Sequence, residues 1–235
     1  MIKLFLLLFS AAKFGKLLTM GGTMLFSMLA YSWIFGWRYA VGFVLLILFH
    51  ELGHYMAARQ RGLNVGVPTF IPFVGAWIQM KEQPTNVETE AYIAFAGPVI
   101  GTLAAMGCYW LARESGSQLM LALAYAGCMI NLFNLIPLSP LDGGRITAII
   151  SPKMWLLGLP LLVGLFFYNH SPMLILIVIL AYPQIKQAIW PNPNAVPQGY
   201  YEASFNERTN YAVLYLGLVV FLSVMTYLLH TSLAG

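Results

Sequence analysis

Apolar residues come in long runs along this chain, and polar ones gather into short stretches between them. A helix needs about 20 mostly apolar residues to cross a bilayer. Residues 17–35 form one uncharged run, and 39–58 form a second, interrupted only by His50, Glu51 and His54. Residues 91–112 and 118–137 supply a third and a fourth. Residues 154–168 and 172–189 are short and separated by Asn169-His170-Ser171, so they read as two tight spans or one kinked pair. The last run is 211–230. The pattern predicts an all-α polytopic membrane protein of six or seven transmembrane helices. No hydrophilic stretch is long enough for a separate soluble domain.

Residues 59–90 break the pattern. Gly62, Gly66, Pro68, Pro72, Gly75 and Pro84 exclude a long helix there. Ala76, Ile78 and Met80 alternate with Trp77, Gln79 and Lys81, the period of a strand. A small membrane-associated β-hairpin is therefore expected over 64–82, turning at 72–75. Non-helical backbone at membrane depth is tolerated only where protein buries it or where it lines a wet cavity. A re-entrant or interfacial hairpin beside a cavity is one reading, and a plain cytoplasmic loop is the other. At the N-terminus, Leu4 to Phe9 is shorter than the roughly 7–15 apolar residues of a signal peptide, and Lys13 and Lys16 follow at once. A retained interfacial helix is expected. The chain then divides into an N-terminal segment with the first span (1–38), a membrane core (39–150), and C-terminal spans with a cytoplasmic linker at 191–210 (151–235).

Composition sharpens this picture. Of 235 residues, 12 are Lys or Arg, 8 are Asp or Glu, and 60% are hydrophobic. Ordinary soluble domains and disordered chains are both excluded by those figures. Two cysteines cannot make a disulfide framework. The basic residues are scattered, so no nucleic-acid partner is expected. With the N-terminus inside and seven alternating spans, ten of the 12 basic residues fall inside and only Arg38 and Arg113 outside. A multi-pass protein in the lipid bilayer follows, its N-terminus and polar motifs toward the cytoplasm.

His50-Glu51-Leu52-Gly53-His54 is the most informative stretch. Residues i and i+4 share a helix face, so two imidazoles can bind one metal while Glu51 projects near an open coordination position. The alternative, two core histidines with an incidental carboxylate, leaves a charged residue inside a span at a cost of roughly 2.5–3.5 kcal/mol. A catalytic zinc typically takes three protein ligands. Most other acids lie in polar loops or at span ends, where a solvated role suffices. Asp142, the single aspartate, sits where Pro137 and Pro140 break a helix, followed by Gly143 and Gly144. Elimination points to Asp142 as third ligand, against the alternative of an Asx-type turn residue. Asn134 could donate to a tetrahedral oxyanion or serve as interhelical packing. Asn131, one turn earlier, reads as packing. Gly97, Gly101 and Ala105 form a small-xxx-small series for close helix approach.

HELGH within an apolar span, followed by Asn134-x-x-Pro137 and Leu141-Asp142-Gly143-Gly144 in a later one, resembles the site-2 protease family of intramembrane zinc metalloproteases. The resemblance covers about 39–150, including a helix start at Ala96-Gly97-Pro98. Gly101 stands where the family often has Asn or Ser. The resemblance implies a three-helix catalytic core, Zn2+ held by His50, His54 and Asp142, and Glu51 as general base. It also implies that the substrates are transmembrane proteins, cleaved in or near their spans, in a bacterial cell membrane with the active site toward the cytoplasm. It leaves the oligomeric state open. A catalytically inactive homologue that binds membrane proteins and a metal transporter are the competing readings. Retention of Glu51 disfavours the first, and ionisable groups gathered at one depth disfavour the second.

Overall fold

A computed structural model of the chain describes residues 2–73, 75–80, 82–192 and 195–234. Val74 and Lys81, within the expected hairpin, and Pro193 and Asn194, within the expected linker, lie outside the described residues, as do Met1, Gly235 and the side chains of 2–14, 16–17 and 77–80.

Helix α1 runs unbroken from Ile2 to Phe35. The expected interfacial helix and first span are thus one rod of 34 residues. No proline interrupts the stretch, and its three glycines each cost only about 1 kcal/mol of helix propensity. After Gly36 the chain turns into α2 (Trp37–Gln60), which carries the His-Glu-x-x-His stretch. A two-stranded antiparallel hairpin follows, β1 (Val65–Ile71) paired with β2 (Gly75–Met80). Phe70 N donates to Thr23 Oγ1 and Phe73 N to the Tyr31 hydroxyl, which ties β1 and the turn to α1.

Helix α3 spans Val87–Ser115. Here the expectation of a helix start at Ala96-Gly97-Pro98 is corrected, because Pro98 lies inside the helix. The start is set eleven residues earlier than Gly97, at Asn86, whose side chain accepts from Thr89 N at 2.8 Å. Glu88 and Glu90 in the first turn complement the helix dipole. Helix α4 (Gln118–Asn134) ends three residues short of Pro137, and a turn leads into the short α5 (Asp142–Ile150). A 3-10 turn (Pro152–Met154), α6 (Trp155–Asn169), α7 (Pro172–Ile189) and α8 (Phe205–Ala234) complete the chain.

Among the described residues, five helices are long and apolar enough to cross a membrane: the Leu18–Phe35 part of α1, then α2, α3, α7 and α8. The 17-residue α4 is a shorter apolar helix. Large apolar side chains face outward, with Trp33 93% and Phe205 81% exposed. A water-soluble fold would not leave such surface uncovered over so many helices, whereas lipid covers it. The protein is a mostly helical, multi-pass membrane protein with a small hairpin.

Helices α2, α3 and α4 pack together, and α5 and α8 close the bundle beside them. Short α5 is held from three sides. The Tyr215 hydroxyl donates to Leu135 O at 2.6 Å in the turn before it. Trp155 Nε1 donates to Gly144 O at 2.7 Å. Arg208 Nη1 donates to Ile149 O and Ile150 O, satisfying carbonyls that a helix end leaves unpaired. These ties fix the first residue of α5, Asp142.

Candidate metal centre

Three side chains from two distant parts of the chain meet inside the bundle. His50 Nε2 lies 3.1 Å from Asp142 Oδ2, and His54 Nε2 lies 3.2 Å from the same oxygen. The two Nε2 atoms are 3.1 Å apart. His50 and Asp142 are buried, and the His54 side chain is only 13% exposed. One turn of α2 supplies the imidazoles, and the N-terminus of α5 supplies the carboxylate.

The donor chemistry indicates what fits between them. His54 Nδ1 is 2.8 Å from Ile93 O, a group that can only accept, so the proton of a neutral ring sits on Nδ1. Its Nε2 then presents a lone pair toward a carboxylate oxygen. Atoms that are all electron-pair donors, in mutual contact and shielded from water, repel unless a cation lies among them. A tetrahedral zinc with N and O ligands at about 2.0–2.2 Å would set its ligand atoms roughly 3.3–3.6 Å apart. The observed triangle is within a few tenths of an ångström of that. The set fits a divalent metal ion.

Packing on α3 allows this proximity. A side chain on Gly97 would collide with the His54 ring, and one on Gly101 would collide with the Asn131 amide. The small-residue series on α3 is thus the floor on which the centre rests.

The structure places the remaining candidates as follows. Glu51 is half-buried on α2 between the two histidines. Asn134 is the half-buried last residue of α4, ahead of the turn to Asp142. The amide that reaches a histidine is Asn131, whose Oδ1 lies 2.8 Å from His50 Nδ1. The sequence pattern supports packing for Asn131, and the one signal of more is a pair of amides, Asn131 and Asn134, at one-turn spacing on an otherwise apolar helix.

A second polar cluster was not foreseen. As acids at a span end, Glu88 and Glu90 carry the expectation of a solvated role. Instead, Arg61 Nη2 pairs with Glu88 Oε1 at 2.7 Å and its guanidinium lies over the Tyr92 ring. The Tyr200 hydroxyl donates to Glu90 Oε2 at 2.7 Å, and Arg145 Nε lies 3.7 Å from Glu90 Oε1. Burial and the adjacent Glu90 carboxylate push the Tyr200 phenol well above its ordinary range. Glu90, Arg145 and Tyr200, with Ser139, Trp155 and Gln184, border an open cavity of about 170 Å³.

A bundle of apolar helices enclosing a buried His-His-Asp set defines a class, the polytopic membrane protein with a metal centre. Residues 38–116 match the model described as Peptidase family M50. The chain is 34% identical over 124 residues to zinc metalloprotease MJ0392 of Methanocaldococcus jannaschii, covering 49% of this chain and 36% of that protein. It is 30% identical over 120 residues to the putative zinc metalloprotease sll0528 of Synechocystis, covering 48% and 31%. It is 33% identical over 122 residues to the putative zinc metalloprotease Rip3 of Mycobacterium tuberculosis, again covering 48% and 31%. The chain thus spans about a third of the length of these curated relatives. The matches bear out the resemblance to the site-2 protease family, peptidase family M50.

Proposed function

We propose that this chain is a zinc-dependent intramembrane endopeptidase, hydrolysing peptide bonds in or near transmembrane segments of membrane-protein substrates. The observation that carries the reading is the convergence of His50 Nε2, His54 Nε2 and Asp142 Oδ2 inside an apolar bundle, with Glu51 on the same helical turn. His50, His54 and Asp142 hold the ion in this reading, which leaves a position open for water or substrate. When bound, zinc polarises the scissile carbonyl and lowers the pKa of water toward about 7. Glu51 accepts the proton of the attacking water on its carboxylate and delivers it to the leaving amide nitrogen. Asn134 donates from Nδ2 to the carbonyl oxygen as negative charge develops there.

Helical substrates hide their amides in i to i−4 hydrogen bonds, so a segment must unwind before it is cut. An exposed strand edge offers the freed segment replacement hydrogen bonds. β1 is tied to α1, so we assign the receiving edge to β2, which lies against the metal-ligand helix. The distribution of basic residues supports a cytoplasmic N-terminus and a cytoplasm-facing centre.

The test is incubation of purified protein in detergent with a panel of single-span substrates, beside Glu51→Gln. Cleavage lost in the variant while its zinc content stays at the wild-type level supports the reading. Equal cleavage by both proteins, or none by zinc-loaded wild type across the panel, contradicts it.

A further inference from the structure

We infer that Asn131 is a positioning residue of the metal centre, holding His50 in the tautomer whose Nε2 faces Asp142 and His54. The inference rests on the metal-centre reading above.

Asn131 is 2% exposed and its amide is spoken for at both ends. Nδ2 donates to Gly127 O, one turn back on α4, at 2.7 Å. Oδ1 faces His50 Nδ1 at 2.8 Å. Rotating the amide by half a turn would set Oδ1 against the Gly127 carbonyl, two acceptors face to face, and the NH2 group against the ring nitrogen. The carbonyl therefore fixes the amide, and the amide fixes the ring. His50 Nδ1 must donate, and in a neutral imidazole that leaves the lone pair on Nε2, the atom 3.1 Å from Asp142 Oδ2.

His54 shows the same logic with a different acceptor, the Ile93 carbonyl. One ring is oriented by backbone and the other by a side chain, so only the second arrangement can be removed by substitution. Space for it comes from α3, where Gly101 presents bare backbone to the amide. A packing role alone would need only an interhelical hydrogen bond of some kind. It would not need the acceptor end trained on the nitrogen opposite the ligand atom.

Groups that orient metal-binding histidines typically change metal affinity about 10–100-fold when lost. Zinc affinity of the full chain in detergent micelles is measured by competition with a chromogenic chelator, with visible spectra of the cobalt-loaded protein alongside. Asn131→Leu keeps the volume and removes the acceptor. It is expected to weaken zinc binding about 10–100-fold and to shift the cobalt bands. Asn131→Asp keeps an acceptor on Nδ1 but sets its second oxygen against the Gly127 carbonyl, and is expected to retain more zinc affinity than Asn131→Leu. Unchanged affinity and spectrum in Asn131→Leu, whatever its melting temperature, would overturn the inference. Should that variant fail to fold, Asn131→Ala removes the same acceptor, and unchanged affinity and spectrum there overturn the inference instead. A wild-type chain that binds no zinc, or a His50→Ala variant that binds it normally, would sink the metal-centre reading itself, an outcome distinct from either result at Asn131.

Discussion

Two clusters of ionisable side chains share α3 as a wall and are built on opposite principles. In the cluster at its N-terminus, Glu88 and Glu90 face Arg61 and Arg145, and tyrosine hydroxyls donate to both carboxylates, Tyr211 to the Glu88 oxygen that Arg61 also holds and Tyr200 to the other oxygen of Glu90. Charge is balanced within the protein, and the groups are partly solvated. At the centre, no lysine or arginine pairs with Asp142 among the described residues, and its neighbours are two imidazoles already donating elsewhere. With both imidazoles neutral, the charge of Asp142 has no partner in an apolar bundle, and an ionised Glu51 on the same turn would add to it. A structural ion network closes its own account, whereas a metal centre is left two charges short. That difference separates them more reliably than the residue types, which overlap.

Breaking the uncompensated cluster should have the largest effect. His54→Ala removes one of three ligand atoms, so the purified variant is expected to hold no zinc by elemental analysis and to show no cleavage. Its circular dichroism should remain helical, since the α3 network is untouched. Next comes the path by which substrate arrives. Ile78→Pro interrupts β2 and is expected to lower cleavage of single-span substrates at least tenfold with zinc content unchanged. Unimpaired cleavage would remove the hairpin from the account.

Substitutions outside the centre should alter stability more than chemistry. Arg208 donates to Ile149 O, Ile150 O, Tyr201 O and Ala203 O, tying α5 to α8 and to the segment before it. Arg208→Ala is expected to cost about 1.5–3 kcal/mol in detergent unfolding while one zinc per chain is retained. Smallest is Glu90→Gln, whose Arg145 partner lies 3.7 Å away at a half-exposed position. It is expected to cost under about 1 kcal/mol and to leave the cleavage rate within twofold. The Tyr200 phenol carries a raised folded-state pKa, so its stabilising contribution is complete below its unfolded value of about 10 and is lost as pH climbs beyond it. Tyr200→Phe should flatten that alkaline loss in a stability–pH series.

Much of this was legible in the chain because it is local. The i, i+4 spacing of His50 and His54 guarantees a shared helix face whatever surrounds it. The run 172–189 became α7 to the residue, since Ser171-Pro172 opens it and Trp190-Pro191 closes it. The strand alternation around 76–80 held because the glycines and prolines flanking it admit no helix. What escaped the reading depends on partners far away in sequence. Asn131 meets His50 across 81 positions, and Tyr200 meets Glu90 across 110. Nothing in either segment marks the pairing. The helix start at Ala96-Gly97-Pro98 comes from the resemblance alone, whereas the Asn86 cap with two acids behind it is a local signal that starts α3 earlier.

The most direct measurement is the zinc content of the purified full chain, prepared without chelators, compared with that of Asp142→Asn. The account predicts one zinc per wild-type chain and almost none in the variant, because neutralising that carboxylate removes both a ligand and the charge that offsets the cation. A well-folded wild type free of metal, or an Asp142→Asn chain that keeps its full complement, would contradict it.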